Sequence, residues 1–302
     1  MWKTVCMVLV FATSAVALPK TRAISRPAIT GIAHIVVYEN NMGAARSFYG
    51  ALLGWPEGSA LETRGGIRFF VSEKQYIETE PMPPNPSADY LDHIAFATSN
   101  AKQLLRYLKA NGAQVPKRVG KRSDGSQFFR MHDPEGYSIE FVQQAPITLP
   151  SAQLQPVSTH IIHAGLAVRD GAVEDHFYKD ILGFHLYWHS CPHPDGRSDY
   201  VSMQVPDGTD WLEYMQNVPA NRTRQRLASA DHFAPGVVSM QQAQQLLEQR
   251  GWQPGGKSRM HMGHDGKWEL NLWDPAGTRV ELMEYKPTET PCVPFTGTQP
   301  AP

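Results

Sequence analysis

The chain carries one pattern twice. His34 opens it in GIAHIVVY, and His163 opens it again in IIHAGLAV. Fourteen residues after each histidine comes a Phe-Tyr pair, Phe48-Tyr49 or Phe177-Tyr178, followed by Leu53-Gly54 or Leu182-Gly183. Downstream, DHIAFA is answered by DHFAPG, and DPEGYSIE by DPAGTRVE. A chain of 302 residues built this way is expected to fold as two similar domains, each large enough to bury a core. Histidines and glutamates kept at matched places in strand-like segments point to a metal-centred site built by duplication.

Composition narrows the partners. The apolar fraction of 41% is that of an ordinary globular chain, and a formal charge of -1 gives no electrostatic case for nucleic acid or an anionic membrane. A small-molecule substrate is the expected partner. The first residues, MWKTVCMVLVFATSAVALPKTRA, combine a basic Lys3, a short apolar run and the small-x-small Ala15-Val16-Ala17. Residues 1–17 are therefore read as a secretory signal, and the mature protein as secreted or periplasmic with no membrane span. Cys6 leaves with the signal, and no cysteine follows the cleavage point to take a lipid. Cys191 and Cys292 remain, free or paired, and two cysteines do not make a disulfide scaffold.

Each half repeats an order of strand, helix and further strands. In the first, residues 29–145, Ile32, His34, Val36 and Tyr38 lie in a strand apolar on both faces. Asn41 is placed to cap the helix MGAARSFYGALLG, which Gly54 closes. IRFFVSE and KQYIETE read as strands, and the proline-rich PMPPNPSAD as a connection. The order then restarts with LDHIAFAT, the helix NAKQLLRYLKANG, FFRMHD and YSIEFVQ. Residues 146–158 form a linker, residues 159–286 repeat the plan, and residues 287–302 read as a flexible tail.

The βαβββ quarter, the FY…LG helix and the DPxG…E ending resemble the vicinal oxygen chelate superfamily, which includes glyoxalase I, extradiol dioxygenases and bleomycin-resistance proteins. The resemblance covers about residues 29–286. It implies an α+β fold of two tandem glyoxalase-like domains, each made of two βαβββ modules whose sheet curls around a cup. It places ligands at His163, Glu213, His232 and Glu281, with a second set at His34, Glu78, His93 and Glu140. A glutamate between apolar residues, as in YSIEFV or RVELMEY, supports this, since a buried carboxylate needs a partner or a cation. If modules pair first with fourth and second with third, the sets recombine as His34, Glu78, His232, Glu281 and His93, Glu140, His163, Glu213.

Other residues are weighed beside these. His261, His264, Trp268, Asn271, Trp273 and Tyr285 are candidates to line the second cup, and Arg130 and His132 lie beside the first DPEG turn. His189, Cys191 and His193 have ligand chemistry but stand in a proline-bearing segment that reads as a surface loop. Asn221-Arg222-Thr223 is a glycosylation sequon where the producing cell has the machinery.

The resemblance implies one divalent ion (zinc, nickel, manganese, cobalt or iron) binding a substrate through two adjacent oxygens, with Glu213 or Glu281 moving a proton. The expected activity is that of a lyase or isomerase. One alternative is an Fe(II) extradiol dioxygenase using His163, His232 and Glu281, although Asn271 stands where that signature has tyrosine. The other is a non-catalytic binding protein of the bleomycin-resistance kind. A glutathione-dependent glyoxalase fits an exported protein poorly. Monomer and homodimer both remain open.

Overall fold

A computed structural model of the chain describes residues 24–61, 65–84, 90–151, 153–216, 227 and 229–302. The signal segment 1–17, Cys6 and the Asn221 sequon lie outside the described residues. The first half contributes β1 (Ile29–Glu39), β2 (Glu57–Ser59), β3 (Ile67–Phe70), β4 (Tyr76–Pro81), β5 (Leu91–Thr98), β6 (Gly120–Lys121), β7 (Gln127–His132) and β8 (Ser138–Gln143). They form one eight-stranded sheet in the order β2-β3-β4-β1-β5-β8-β7-β6. The second half contributes β9 (Ile161–Ala167), β10 (His185–His189), β11 (Tyr200–Gln204), β12 (Trp211–Met215), β13 (His232–Val237), β14 (His261–Met262), β15 (Trp268–Trp273) and β16 (Arg279–Glu284). Its order, β10-β11-β12-β9-β13-β16-β15-β14, is the same strand for strand. The fold is two tandem domains, each a curled sheet made from two successive modules.

Module pairing follows from the central strands. β1 runs antiparallel to β5, and β9 antiparallel to β13, so each sheet joins neighbouring quarters of the chain. The recombined ligand sets are excluded: His34 and His93 share one sheet, His163 and His232 the other.

The helices follow their caps. Asn41 accepts from the N–H groups of Gly43 and Ala44 and starts α1 (Met42–Ala45), which widens into π-helical turns over Arg46–Leu52. Asp170 does the same for α3 (Gly171–Asp175), which widens over His176–Ile181. The longer α2 (Ala101–Ala110) and α4 (Met240–Gln249) start at Asn100 and Ser239. Leu104, Leu105 and Leu108 of α2 are buried, as their spacing predicts.

One apolar core spans both halves. Phe96 of β5 packs on Phe141 in its own half and on Tyr178 and Phe184 in the other. Tyr49 reaches across to Asp274 at 2.8 Å, and Tyr178 reaches back to Asp133 at 3.2 Å. The two contacts join the Phe-Tyr helix of one repeat to the Asp-Pro turn of the other.

The segment 287–302, read as a flexible tail, is instead fastened to the second domain. Cys292 forms a disulfide with Cys191, their Cα atoms 5.6 Å apart. Thr296 N donates to Tyr187 O at 2.9 Å, and Gln204 holds Thr298 through both its backbone N–H and its carbonyl. Phe295 packs against Tyr187 and Trp188. A proline- and threonine-rich composition fails as a guide here because sulfur and ring contacts, not periodicity, hold the segment.

Candidate metal centre

His163 and Glu213 reach the second cup from the parallel pair β9 and β12, His232 and Glu281 from the parallel pair β13 and β16. Glu213 and His232 both lie opposite Gly165, two residues beyond His163 on β9. Alternate residues of a strand share a face, so this register turns all three side chains the same way. Gly165 is required: a Cβ there would overlap the His232 ring. One ligand atom from each of His163, Glu213, His232 and Glu281 lies within 4.8 Å of the others. The two Nε2 atoms are 3.0 Å apart, and Glu281 Oε2 lies 3.3 Å from His163 Nε2 and 3.4 Å from His232 Nε2. Glu213 Oε2 is 3.5 Å from His232 Nε2. Two imidazole nitrogens each about 2.0–2.1 Å from one ion would stand roughly 3 Å apart, which this spacing matches.

The surroundings hold the ligands in binding form. Burial keeps both histidines neutral: His232 and then Arg279 add to it at His163, which falls to about 4, and Arg279 adds to it at His232, which is also lowered. His232 Nδ1 is 2.6 Å from Ala230 O and 2.8 Å from Arg279 Nη2. The first contact needs a proton on Nδ1 and the second a lone pair, so they are mutually exclusive, and only the first leaves Nε2 able to ligate. His163 is oriented by stacking on Trp211 at 4.7 Å, its Nδ1 having no hydrogen-bond partner. Burial works to raise Glu281, but Arg279, at 3.1 Å, and the two histidines outweigh it and hold the carboxyl well below its usual range. Glu213 goes the other way, pushed up to about 8 by burial and by Glu281. Two buried carboxylates beside one arginine leave a charge deficit that a divalent ion would satisfy. The donor set therefore fits such an ion.

A cavity of about 340 Å³ opens beside these ligands. Its wall includes Ser202, Gly263, Asn271, Glu269 and an aromatic column in which Trp211 stacks on Tyr187 at 4.6 Å and Tyr187 meets Phe295 at 5.0 Å. Of the lining candidates read from sequence, His261, His264 and Asn271 are in the wall; Trp268, Trp273 and Tyr285 are not. Sequence reasoning missed Arg279 and Trp211, although each sits two residues before a ligand and so shares its strand face. It also missed Lys267. This residue is fully buried, donates to the Tyr187 hydroxyl at 3.0 Å, and lies over the rings of Tyr187, Trp211 and Phe295. Burial lowers its pKa to about 8.

The first cup is different. His34, His93 and Glu140 converge, with Nε2 atoms 3.3 Å apart, but Glu78 is not part of the group. Arg122 grips Glu140 with both Nη atoms at 2.9 and 2.7 Å, and Arg130 adds Nε at 3.0 Å. His93 Nδ1 is 2.6 Å from Asp92. His132 is exposed at the end of β7. The WHSCPHP segment forms no ligand cluster: Cys191 is in the disulfide, and His193 pairs with Asp199 at 3.0 Å.

The sequence profile of the Glyoxalase/Bleomycin resistance protein/Dioxygenase superfamily matches residues 31–141 and 160–291. The chain belongs to that superfamily. No curated protein matches it. Among solved structures it is similar to the Mn(II)-bound glyoxalase from Novosphingobium aromaticivorans, at 17% identity and a TM-score of 0.64 over 85% of this chain and 83% of the other. It is also similar to the 2,3-dioxygenase LapB from Pseudomonas sp. KL28, at 16% identity and a TM-score of 0.66 over 92% and 96%. The homoprotocatechuate 2,3-dioxygenase of Brevibacterium fuscum in complex with 3,4-dihydroxyphenylacetate gives 17% and 0.63 over 92% and 85%. At these identities the likeness is one of fold.

Proposed function

We propose that the second cup holds one divalent metal ion on His163, Glu213, His232 and Glu281, and that the protein is an exported lyase or isomerase acting on a small substrate with adjacent oxygens. The observation that carries this reading is the presence of Glu213 in the group, which makes two nitrogens and two carboxylates rather than the three ligands a dioxygenase iron needs. The bound ion would act as a Lewis acid on the substrate oxygens. The chain's own groups do the rest. Glu281 is tied by Arg279, so Glu213, facing the cavity, is the carboxylate assigned to move the proton. The aromatic wall excludes water from one side. Export is supported by the Cys191–Cys292 disulfide, a bond that persists in oxidising compartments.

A ring-cleaving dioxygenase is the second reading, favoured by the convergence of His163, His232 and Glu281, the two imidazoles and one carboxylate that such an iron takes. Metal analysis of chelator-free protein, together with oxygen uptake on catechols, separates the two. Zinc, nickel or manganese with no oxygen uptake supports the proposal; iron with stoichiometric oxygen uptake overturns it. The Glu213→Gln variant is expected to keep the ion and lose at least a hundredfold in turnover. Full turnover in that variant would remove Glu213 from the chemistry.

A further inference from the structure

The two cups can be superimposed residue by residue through their strand registers. Arg68 of β3 lies opposite Glu78, as Ser202 of β11 lies opposite Glu213. Arg130 of β7 lies opposite Glu140, as Asn271 of β15 lies opposite Glu281. Arg122 N donates to Ser126 O just after β6, as Gly263 N donates to Lys267 O just after β14. Ser202, Gly263 and Asn271 all line the cavity of the second cup. The first cup carries a guanidinium at each of those three places.

We propose that the first cup is a metal site turned into an internal salt bridge, with Arg68, Arg122 and Arg130 in place of the ion and its open cavity, so that the chain binds its divalent ion in the second half alone. Glu140 is fully buried and receives three guanidinium hydrogen bonds, two of them a bidentate fork from Arg122. That geometry fills the lone pairs an ion would need. Arg122 is itself held, packing over the Phe128 ring at 3.9 Å with its surface 7% exposed. Arg68 lies over Phe70 and Tyr76, the residue stacked on His34.

Charge argues the same way. The carboxylates of the first cup, Glu78, Glu140 and Asp92 beside Arg130, face three guanidiniums, which cannot lose their protons, so their charge is already balanced and leaves no surplus for a divalent ion. Glu213 and Glu281 face one guanidinium, that of Arg279. The histidine pair survives in both cups, which is why the sequence presents two sites of equal appearance. The difference lies in Arg68, Arg122 and Arg130, which the folded sheet sets against the ligands.

That the second cup holds the ion rests on the proposed function, whereas the filling of the first cup by arginines does not. Full-length protein is titrated with Mn²⁺ or Zn²⁺ and the bound metal counted. The wild type is expected to hold one ion per chain, and the His163→Ala, His232→Ala variant none. Combining Arg68→Ser, Arg122→Gly and Arg130→Asn is expected to add one ion, which His34→Ala and His93→Ala then remove. Two ions in the wild type, an ion that survives His163→Ala and His232→Ala, or a folded triple variant that gains nothing would each overturn the proposal. If the triple variant does not fold, the His34→Ala, His93→Ala variant of the otherwise native chain decides: an unchanged single ion supports the proposal, and loss of it refutes it. A wild type without any ion would defeat the proposed function, while a gain in the triple variant would still uphold the first-cup assignment.

Discussion

The hydroxyl of Tyr49 donates to Asp274 across the two halves at 2.8 Å, and both residues are buried. Its counterpart, Tyr178 with Asp133, closes the other side of the same junction. Each tyrosine comes from a Phe-Tyr helix and each aspartate from an Asp-Pro turn, so the most legible repeat motifs in the chain serve the junction rather than the cups. Tyr49→Phe and Tyr178→Phe are each expected to cost about 1–3 kcal/mol, the penalty for leaving a buried acceptor short of a donor. Urea unfolding should show the two losses adding, because the pairs share no partner.

The carboxylates of this junction make stability depend on pH. Burial, then the neighbouring Asp274, pushes Glu39 up to about 8; burial, then Asp133, pushes Glu174 up to about 8. Burial lifts Asp133 to about 7 and Asp274 upward too. With folded values above unfolded ones, the native state binds more protons through the intervening range. The stabilisation is complete below the unfolded pKa values near 4 and is lost as pH rises through about 7–8. Chemical denaturation at pH 5.5 and pH 8.5 should therefore find the protein less stable at the higher pH, and Glu39→Gln with Glu174→Gln should flatten the difference. A stability that rises over this range would contradict the assignment.

Gly165 is a strand position with no room for a side chain, since a Cβ there would overlap the His232 ring. Gly165→Ala should displace His232 and abolish metal binding while leaving the first half intact. Retained metal affinity in this variant would mean that His232 tolerates a different rotamer and is not fixed by β9.

Removing the ion should lower the melting temperature in the wild type only. A ligand present at about 100 times its dissociation constant stabilises by roughly 2.7 kcal/mol, several degrees for a protein of this size. Chelator should produce that shift in the native chain and none in His163→Ala, His232→Ala.

The disulfide spans a sequence separation of 101 residues and holds Phe295 against the cup wall. Cys292→Ser is expected to cost about 2–4 kcal/mol and to raise the KM of any substrate that touches the aromatic wall. Phe295→Ala should reproduce the KM change without most of the stability loss. Equal effects on both would mean that the segment matters for folding alone.

Much of this was written plainly in the chain. The alternation around His34 and His163, the Asn41 cap and the core stripe of α2 gave the elements, and the duplicated His and Glu positions gave the second ligand group in full and the first without Glu78. The short edge strands β2, β6 and β14, two or three residues each, carry no periodicity to read. The unequal fate of the two cups was hidden for a related reason. Arg122 and Gly263 are distant in sequence from the glutamates they face or leave open, and only the strand register brings them to the same place. The order in segment 287–302 depends on a sulfur bond that composition cannot reveal.

The joining of Cys191 to Cys292 has a consequence for timing. The ligands of the second cup lie on strands that pair without any oxidation, whereas the wall bearing Phe295 is secured covalently only once two thiols have been oxidised. A chain with these two thiols reduced would keep the strand pairing that assembles its chelating residues while lacking the covalent tie on that side of the cup. Maturation in an oxidising compartment would set the final shape of the chamber, and an ion could enter ahead of that step.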